Sequence, residues 1–364
     1  CKRMRPGDVD FSISLLDRRY LTGVESLYWE LNQNCLKTPP ELSLELARKT
    51  KTRHEKFQST IYHMEPDVKE GPGGLRDLHV IRWLSRLAGN PAVAPDLETE
   101  FLFRIRYELH SLSGRDSNQL RFAEQDQLAE SPAVLMRDYY RHTRSILRLL
   151  EPMLDRILDA KPGMASSFLD WRSRMSNEEF TVSRDRILLR HPAAFQVDPN
   201  APHRLLLMQA RHGLELAADA RTKLQRSGDW SWAKWQELLS QPFAAKALRS
   251  MAECGALTSL LPEWEKIDCL VVRDFHHRYT VDEHTLVALE QLDALANEGG
   301  RMETLWGACE NKALLRFALL LHDIGKGSGS AHEEKSVTIA KIIGSRIGIP
   351  PSGMATLERL ISQH

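Results

Sequence analysis

The chain has no C-x-x-C pair: its five cysteines, Cys1, Cys35, Cys254, Cys269 and Cys309, are scattered. That excludes a disulfide framework or a cysteine-built zinc cage and fits the reduced thiols of a cytoplasmic protein. Nor is there a surplus of charge. The 49 basic and 49 acidic residues cancel, so no global field argues for nucleic acid or an anionic membrane as partner. No apolar run approaches the roughly 18 residues that would span a bilayer, and the polar, charged start carries no apolar signal segment. Internal repeats and low-complexity tracts are missing. Strand-like alternation is rare, with Asp8-Val9-Asp10-Phe11-Ser12-Ile13 the best short candidate. There is no initiator methionine before Cys1, and the last helical pattern runs uncapped to His364. The sequence therefore reads as a piece of a longer protein.

What is present is helix. Apolar residues recur at three- and four-residue spacing, as in Leu102, Ile105, Leu109 and Leu112, and in Leu135, Tyr139, Thr143, Ile146 and Leu150. The expected fold class is all-α for the most part. Breaks fall at Gly71-Pro72-Gly73-Gly74, Asp159 to Gly163, Pro192 to Pro202, Ser240 to Pro242, Gly299-Gly300 and Pro350-Pro351. A helix is expected from about Leu75, directly after the first of them.

The most informative stretch is Leu319-Leu320-Leu321-His322-Asp323-Ile324-Gly325-Lys326. Residues Ala313 to Leu321 are apolar almost all round, which predicts a buried helix. His322 and Asp323 end it, and Gly325 and Gly327 turn the chain away. Imidazole nitrogen and carboxylate oxygen are both good ligands for a divalent metal. His284 stands about forty residues upstream on its own predicted helix, whose packing face is Val281, Leu289, Leu292 and Leu295. Taken singly, His284 or His322 reads as a satisfied core histidine. The ordered set His284, His322 and Asp323 reads as a metal centre with open positions for water and a phosphate oxygen. Such a metal lowers the pKa of bound water and neutralises phosphoryl charge. Lys326 would hold a phosphate as a point charge. His332, beyond Gly327-Ser328-Gly329-Ser330, would contact the phosphate or the leaving group. Both read equally well as ordinary side chains. His276 and His277 read as packing or surface residues near the site entrance.

This constellation resembles the HD metal-dependent phosphohydrolase superfamily. A second resemblance covers nearly all of the chain. Glu65-Pro66-Asp67-Val68-Lys69-Glu70-Gly71-Pro72-Gly73-Gly74-Leu75-Arg76-Asp77-Leu78-His79 is similar to a signature of the bacterial bifunctional uridylyltransferase/uridylyl-removing enzymes, which modify the nitrogen-signalling protein PII. Further matching blocks are Leu109-His110 through Gln125, Met136 to His142, and Leu261-Pro262-Glu263-Trp264 leading into Tyr279 to Thr285.

The resemblance implies a parent protein with four parts: a nucleotidyltransferase domain, a helical domain, an HD domain and two glutamine-sensing ACT domains. On that frame, residues 1–24 are the end of the α/β nucleotidyltransferase domain and residues 25–162 the helical domain. Residues 163–270 are a helical connector and 271–364 a truncated HD domain. The implied partners are PII, UTP and UMP, with glutamine acting through ACT domains beyond this chain. Mg²⁺ or Mn²⁺ fits the family. Asp8 would match the third carboxylate of the nucleotidyltransferase metal site, whose Asp-x-Asp pair would precede Cys1. The distal aspartate that closes the HD site would follow His364. By itself the chain should therefore not transfer UMP.

The Gly71 to Asp77 element has two readings. It is a stiff structural turn, or its helix-start amides, Gly73 and Gly74 among them, line a nucleotide site with Lys69 and Arg76 while Asp77 orients Arg76. Two other functions compete with uridylyl removal. One is an HD phosphohydrolase acting on free or cyclic nucleotides, and the other is a non-catalytic scaffold that binds PII.

Overall fold

The computed structural model describes residues 9–35, 40–90, 95–159, 175–183, 185–193, 197–224, 230–272, 279–295, 300–326 and 332–363. Asp8, His276, His277, the Gly327 to Ser330 segment and His364 lie outside the described residues. The chain divides into two compact units, Cys1–Pro162 and Gly163–His364. The protein is mostly helical, and among the described residues no helix is long and apolar enough to cross a membrane.

In the first unit the helices are α1 (Val9–Leu16), α2 (Glu25–Cys35), α3 (Pro40–Glu55), α4 (Leu75–Leu87), α5 (Asp96–Ser113), α6 (Phe122–Leu128) and α7 (Pro132–Asp159). A strand is expected at residues 8–13, but from Val9 onward the chain forms helix α1 instead. Val9, Phe11 and Ile13 alternate as a strand would, but the chain buries Val9, Ser12 and Leu16, which lie on one helical face. That face packs on α3 and α4. The Trp83 indole N–H holds its end by donating to Asp17 at 2.7 Å.

Helix α7 is the axis of this unit. Its 28 residues make a rod about 42 Å long. Met136, Tyr139, Tyr140, Thr143, Ile146, Leu150 and Leu154 are all buried along it, one stripe at helical spacing that touches α3, α4, α5 and α6.

The Gly71 to Asp77 turn sits against that stripe. Gly73 has φ +70°, and a Cβ there would lie 2.5 Å from the Thr143 carbonyl oxygen, so only glycine fits. Asp77, fully buried, binds the turn together. Its carboxylate accepts from the Gly73 amide at 2.7 Å, from His54 Nε2 at 2.9 Å and from Arg53. Burial pushes the Asp77 pKa up, but the His54 hydrogen bond and the His54 and Arg53 charges outweigh it and hold the pKa below the usual carboxylate range.

The second unit starts with a small sheet. Strand β1 (Phe180–Ser183) pairs antiparallel with β2 (Arg186–Leu189), and β2 pairs parallel with β3 (Glu215–Leu216). Helix α8 (Ala201–His212) precedes β3; α9 (Ala218–Lys223), α10 (Trp232–Leu239), α11 (Ala244–Cys254) and α12 (Ala256–Leu260) follow it. A 3-10 turn (Pro262–Lys266) leads to α13 (Val281–Leu295), α14 (Gly300–Ala308), α15 (Lys312–Leu321), α16 (His332–Ile347) and α17 (Pro351–Ser362). One contiguous apolar core runs from Phe180 to Ile361. Helix α15 lies at its heart, packed on α10, α13 and α17. Phe317 is wedged between Trp232 and Trp235, with ring centroids at 5.4 and 5.6 Å, a contact that adds to plain area burial.

Replacing Asp77 by alanine should destabilise the first unit by about 3–5 kcal/mol, because it leaves His54 and Arg53 without their acceptor; chemical denaturation of the two proteins checks this. The sign of the pH effect follows from the depressed pKa. The stability that Asp77 contributes is present above the unfolded carboxylate pKa of about 4 and is lost as pH falls through the lower folded value. Acid unfolding of Asp77→Asn should accordingly show a shallower loss of stability below pH 4 than the parent.

Candidate metal centre

Helix α15 delivers His322 and Asp323 to one place because its ten residues are buried on nearly every side and cannot rotate away from it. Asn311 caps its start, the side chain accepting from the Leu314 amide at 3.0 Å. At the other end the His322 Nδ1–H donates to the Leu319 carbonyl at 2.6 Å. A carbonyl can only accept, so Nδ1 carries a proton, and Nε2 is the ring nitrogen turned toward Asp323. Nε2 lies 3.1 Å from Asp323 Oδ2.

Helix α13 supplies His284 from its first turns, where the His284 amide donates to the Thr280 carbonyl at 2.8 Å. The His284 and His322 ring centroids are 5.8 Å apart. One ligand atom from each of His284, His322 and Asp323 falls within 4.8 Å of the others. The structure thus brings these three sequence-predicted residues together.

The donor set fits a divalent cation. Asp323 Oδ1 is buried and accepts no hydrogen bond from the described residues, although a buried carboxylate oxygen without a donor is costly. Burial raises the Asp323 pKa, but the hydrogen bond and charge of His322 and the Lys326 ammonium, 2.8 Å from Oδ2, more than reverse this. The group stays ionised far below neutral pH. Two imidazoles and a carboxylate with an unfilled oxygen are ligands for Mn²⁺, Fe, Zn²⁺ or Mg²⁺.

Lys326 therefore stands beside the candidate ligands, its ammonium on the Asp323 carboxylate. His332 opens α16 and is half-buried. Its carbonyl oxygen would lie 2.5 Å from a Cβ on residue 325, so Gly325 is what lets the start of α16 close onto the His-Asp turn. The Gly325 amide donates to Ser336 Oγ at 3.0 Å. Asp8 lies outside the described residues.

The Gly71 to Asp77 element does not present an anion cradle. The amide of Gly73 goes to Asp77, Gly74 to the Gly71 carbonyl, Leu75 to Val68, Arg76 to Lys69 and Asp77 to Gly74. All five N–H groups are used inside the turn. Arg76 pairs with Glu70 at 2.9 Å, and Asp77 engages His54 and Arg53 in its place. Lys69 is half-buried in the same turn. These helix-start amides therefore brace the turn, and the cationic groups that the element holds beside them are the Lys69 and Arg76 side chains.

Several polar residues around the candidate site carry little local signal in the sequence. Arg249 on α11 donates to Glu283 at 2.9 Å and grips Glu290 with two nitrogens, so it spans the face of α13 next to His284. Arg316, buried inside α15, pairs with Asp293 of α13. The one available signal for Arg316 was its position in an otherwise apolar run, since a fully buried arginine must have a partner. A second group, Asp268, Cys269 and Asp282, also has ligand atoms within 4.8 Å of one another; Cys269 there adopts φ +56°.

Comparison with known proteins bears on both units. Residues 44–99 and 96–154 match the GlnD PII-uridylyltransferase family model. Residues 281–364 match the HD domain, a match that contains α13 to α17 and all three candidate ligands. The chain is 29% identical to the bifunctional uridylyltransferase/uridylyl-removing enzyme of Gluconobacter oxydans, over 100% of this chain and 45% of the relative. It is 30% identical to the enzyme of the same name from Nitrosococcus oceani, over 92% of this chain and 43% of the relative. The chain spans about half the length of these curated relatives. The chain thus carries a GlnD PII-uridylyltransferase family region followed by an HD domain, and along its length it is similar to bifunctional uridylyltransferase/uridylyl-removing enzymes.

Proposed function

We propose that the second unit is the uridylyl-removing centre of a bifunctional enzyme acting on a PII-type signalling protein, and that it hydrolyses a UMP–tyrosine phosphodiester. The observation that carries this reading is the convergence of His284, His322 and Asp323 from two helices, with Asp323 Oδ1 buried and without a donor among the described residues. In this reading those three side chains hold one divalent ion, Mg²⁺ or Mn²⁺. When bound, the ion supplies a nucleophile from water at neutral pH and stabilises the charge that develops on the phosphoryl oxygens.

The chain's own groups do the positioning. The Leu319 carbonyl keeps the His322 proton on Nδ1 and so presents Nε2 to the site. Lys326 holds Asp323 in its ionised form and offers its ammonium to a non-bridging phosphate oxygen. His332, at the first turn of α16, contacts the phosphate or the phenolate leaving group. The buried walls of α13 and α15 limit water around the reacting phosphorus and strengthen these charge interactions.

The first unit is then the helical region of the transferase half, braced by Asp77. The nucleotidyl-transfer chemistry, UTP as donor and glutamine as effector belong to the whole protein. A cytoplasmic location accompanies this reading, since nucleotide substrates and reduced thiols are found there.

The test uses the full protein, UMP-modified PII, Mn²⁺ and glutamine, with intact mass as readout. Wild type should release one UMP per modified tyrosine, while Asp323→Asn should release none and still melt cooperatively. Retention of UMP by both proteins, each folded, would overturn the hydrolase reading. Lys326→Met should lower turnover by about 100-fold, in the range expected for a lost charge-stabilising donor, while the protein still binds Mn²⁺. Unchanged turnover in that variant would remove Lys326 from the chemistry.

A further inference from the structure

The two helices that carry the candidate ligands are joined by a polar knot in the core. Arg316 on α15 is 1% exposed and Asp293 on α13 is 9% exposed. The Arg316 Nε and Nη2 groups both donate to Asp293 Oδ1, at 2.9 and 2.6 Å. The third nitrogen, Nη1, donates to the Leu239 carbonyl at the end of α10 at 2.5 Å. Asp293 Oδ2 accepts the Ala245 amide at the start of α11 at 3.0 Å. The guanidinium lies over the Trp306 ring, 4.7 Å from its centroid. Helices α10, α11, α13 and α15 meet at this one pair.

Burial of a charged pair here is not explained by stability. Apolar residues of similar volume in such a place are commonly as stable or more so. What a hydrogen-bonded fork adds is register. A face made of leucine, alanine and phenylalanine tolerates sliding and rotation between helices, whereas a planar guanidinium with four directed contacts does not. Asp293 is nine residues beyond His284 and Arg316 is six before His322, spacings of roughly 13 and 9 Å along the two helices. The knot and the ligands therefore occupy neighbouring levels of the same helix pair. One residue of slip on either helix would turn its ligand by about 100°. The Arg249 clamp on Glu283 and Glu290 fixes the rotation of α13 from its other neighbour, α11.

We infer that Arg316 and Asp293 are positioning residues for the metal centre: their ion pair sets the register of α13 against α15 and so brings His284 within reach of His322 and Asp323. This rests on the metal-binding reading of that centre given above.

The test is Mn²⁺ binding to the full protein, followed by the electron paramagnetic resonance signal of free Mn²⁺, counting only the binding that Asp323→Asn abolishes. Two variants are compared with the parent by this titration and by thermal melting. Asp293→Leu/Arg316→Met removes both charges at similar volume, and Arg316→Lys keeps the charge without the planar fork. The double variant should melt at or above the parent temperature and bind Mn²⁺ at least about tenfold more weakly, the scale of losses seen when groups that orient metal ligands are removed. Arg316→Lys should fold and fall between the two, which keeps the test decisive if the double variant fails to fold. Parent-like Mn²⁺ affinity in either folded variant would overturn the positioning role and leave the metal centre standing. Absence of any Asp323-dependent Mn²⁺ binding in the parent would overturn the metal reading, and this inference with it.

Discussion

The second unit is built around the burial of α15. A ten-residue helix with leucine, alanine and phenylalanine on nearly every face has to be enclosed, and α10, α13 and α17 enclose it. The charge that this burial traps, Arg316, must be matched inside the core, because an unpaired guanidinium there is prohibitively costly. Asp293 is the match. From that constraint follow the placement of α13, the end of α10 and the start of α11. The polar end of the same helix, His322 and Asp323, then emerges where α13 presents His284.

Each unit contains a buried carboxylate, and the contrast between the two separates structure from chemistry. Asp77 has donors on both oxygens: the Gly73 amide, His54 and Arg53. It is a finished interaction and holds a turn closed. Asp323 is equally buried, yet among the described residues Oδ2 is engaged, by Lys326 and beside His322 Nε2, while Oδ1 has no donor. Both groups remain ionised for similar reasons, neighbouring cations that outweigh burial. Only the second has coordination capacity left over. That difference, more than the His-Asp sequence itself, supports the proposal of a cation site in the second unit.

Much of this was legible in the sequence, and the exceptions have physical causes. The apolar run before His322 announced a buried helix because its period is local, and His284 could be paired with it because both lie on strongly patterned helices. The Gly-Pro-Gly-Gly turn was legible as a turn. The direction of its amides was not, since that depends on the fold of the turn and on Asp77 meeting His54 and Arg53 from α3. Helix α1 looked like a strand because Val9, Phe11 and Ile13 alternate, and tertiary packing on α3 and α4 decided otherwise. The hairpin of β1 and β2 escaped notice because each strand is four residues long, too short for an alternating pattern to stand out. Arg316 was visible as an anomaly, but its partner lies 23 residues away on another helix, and no local pattern points there.

The central claim is that a cation sits among His284, His322 and Asp323. Crystals of the full protein grown with Mn²⁺, with diffraction recorded on both sides of the manganese absorption edge, test it most directly. The account predicts an anomalous peak between His322 Nε2 and Asp323 Oδ1, within bonding distance of a His284 ring nitrogen. Manganese at Asp268, Cys269 and Asp282 instead, or no peak at the His-Asp site of a well-ordered crystal, would contradict it.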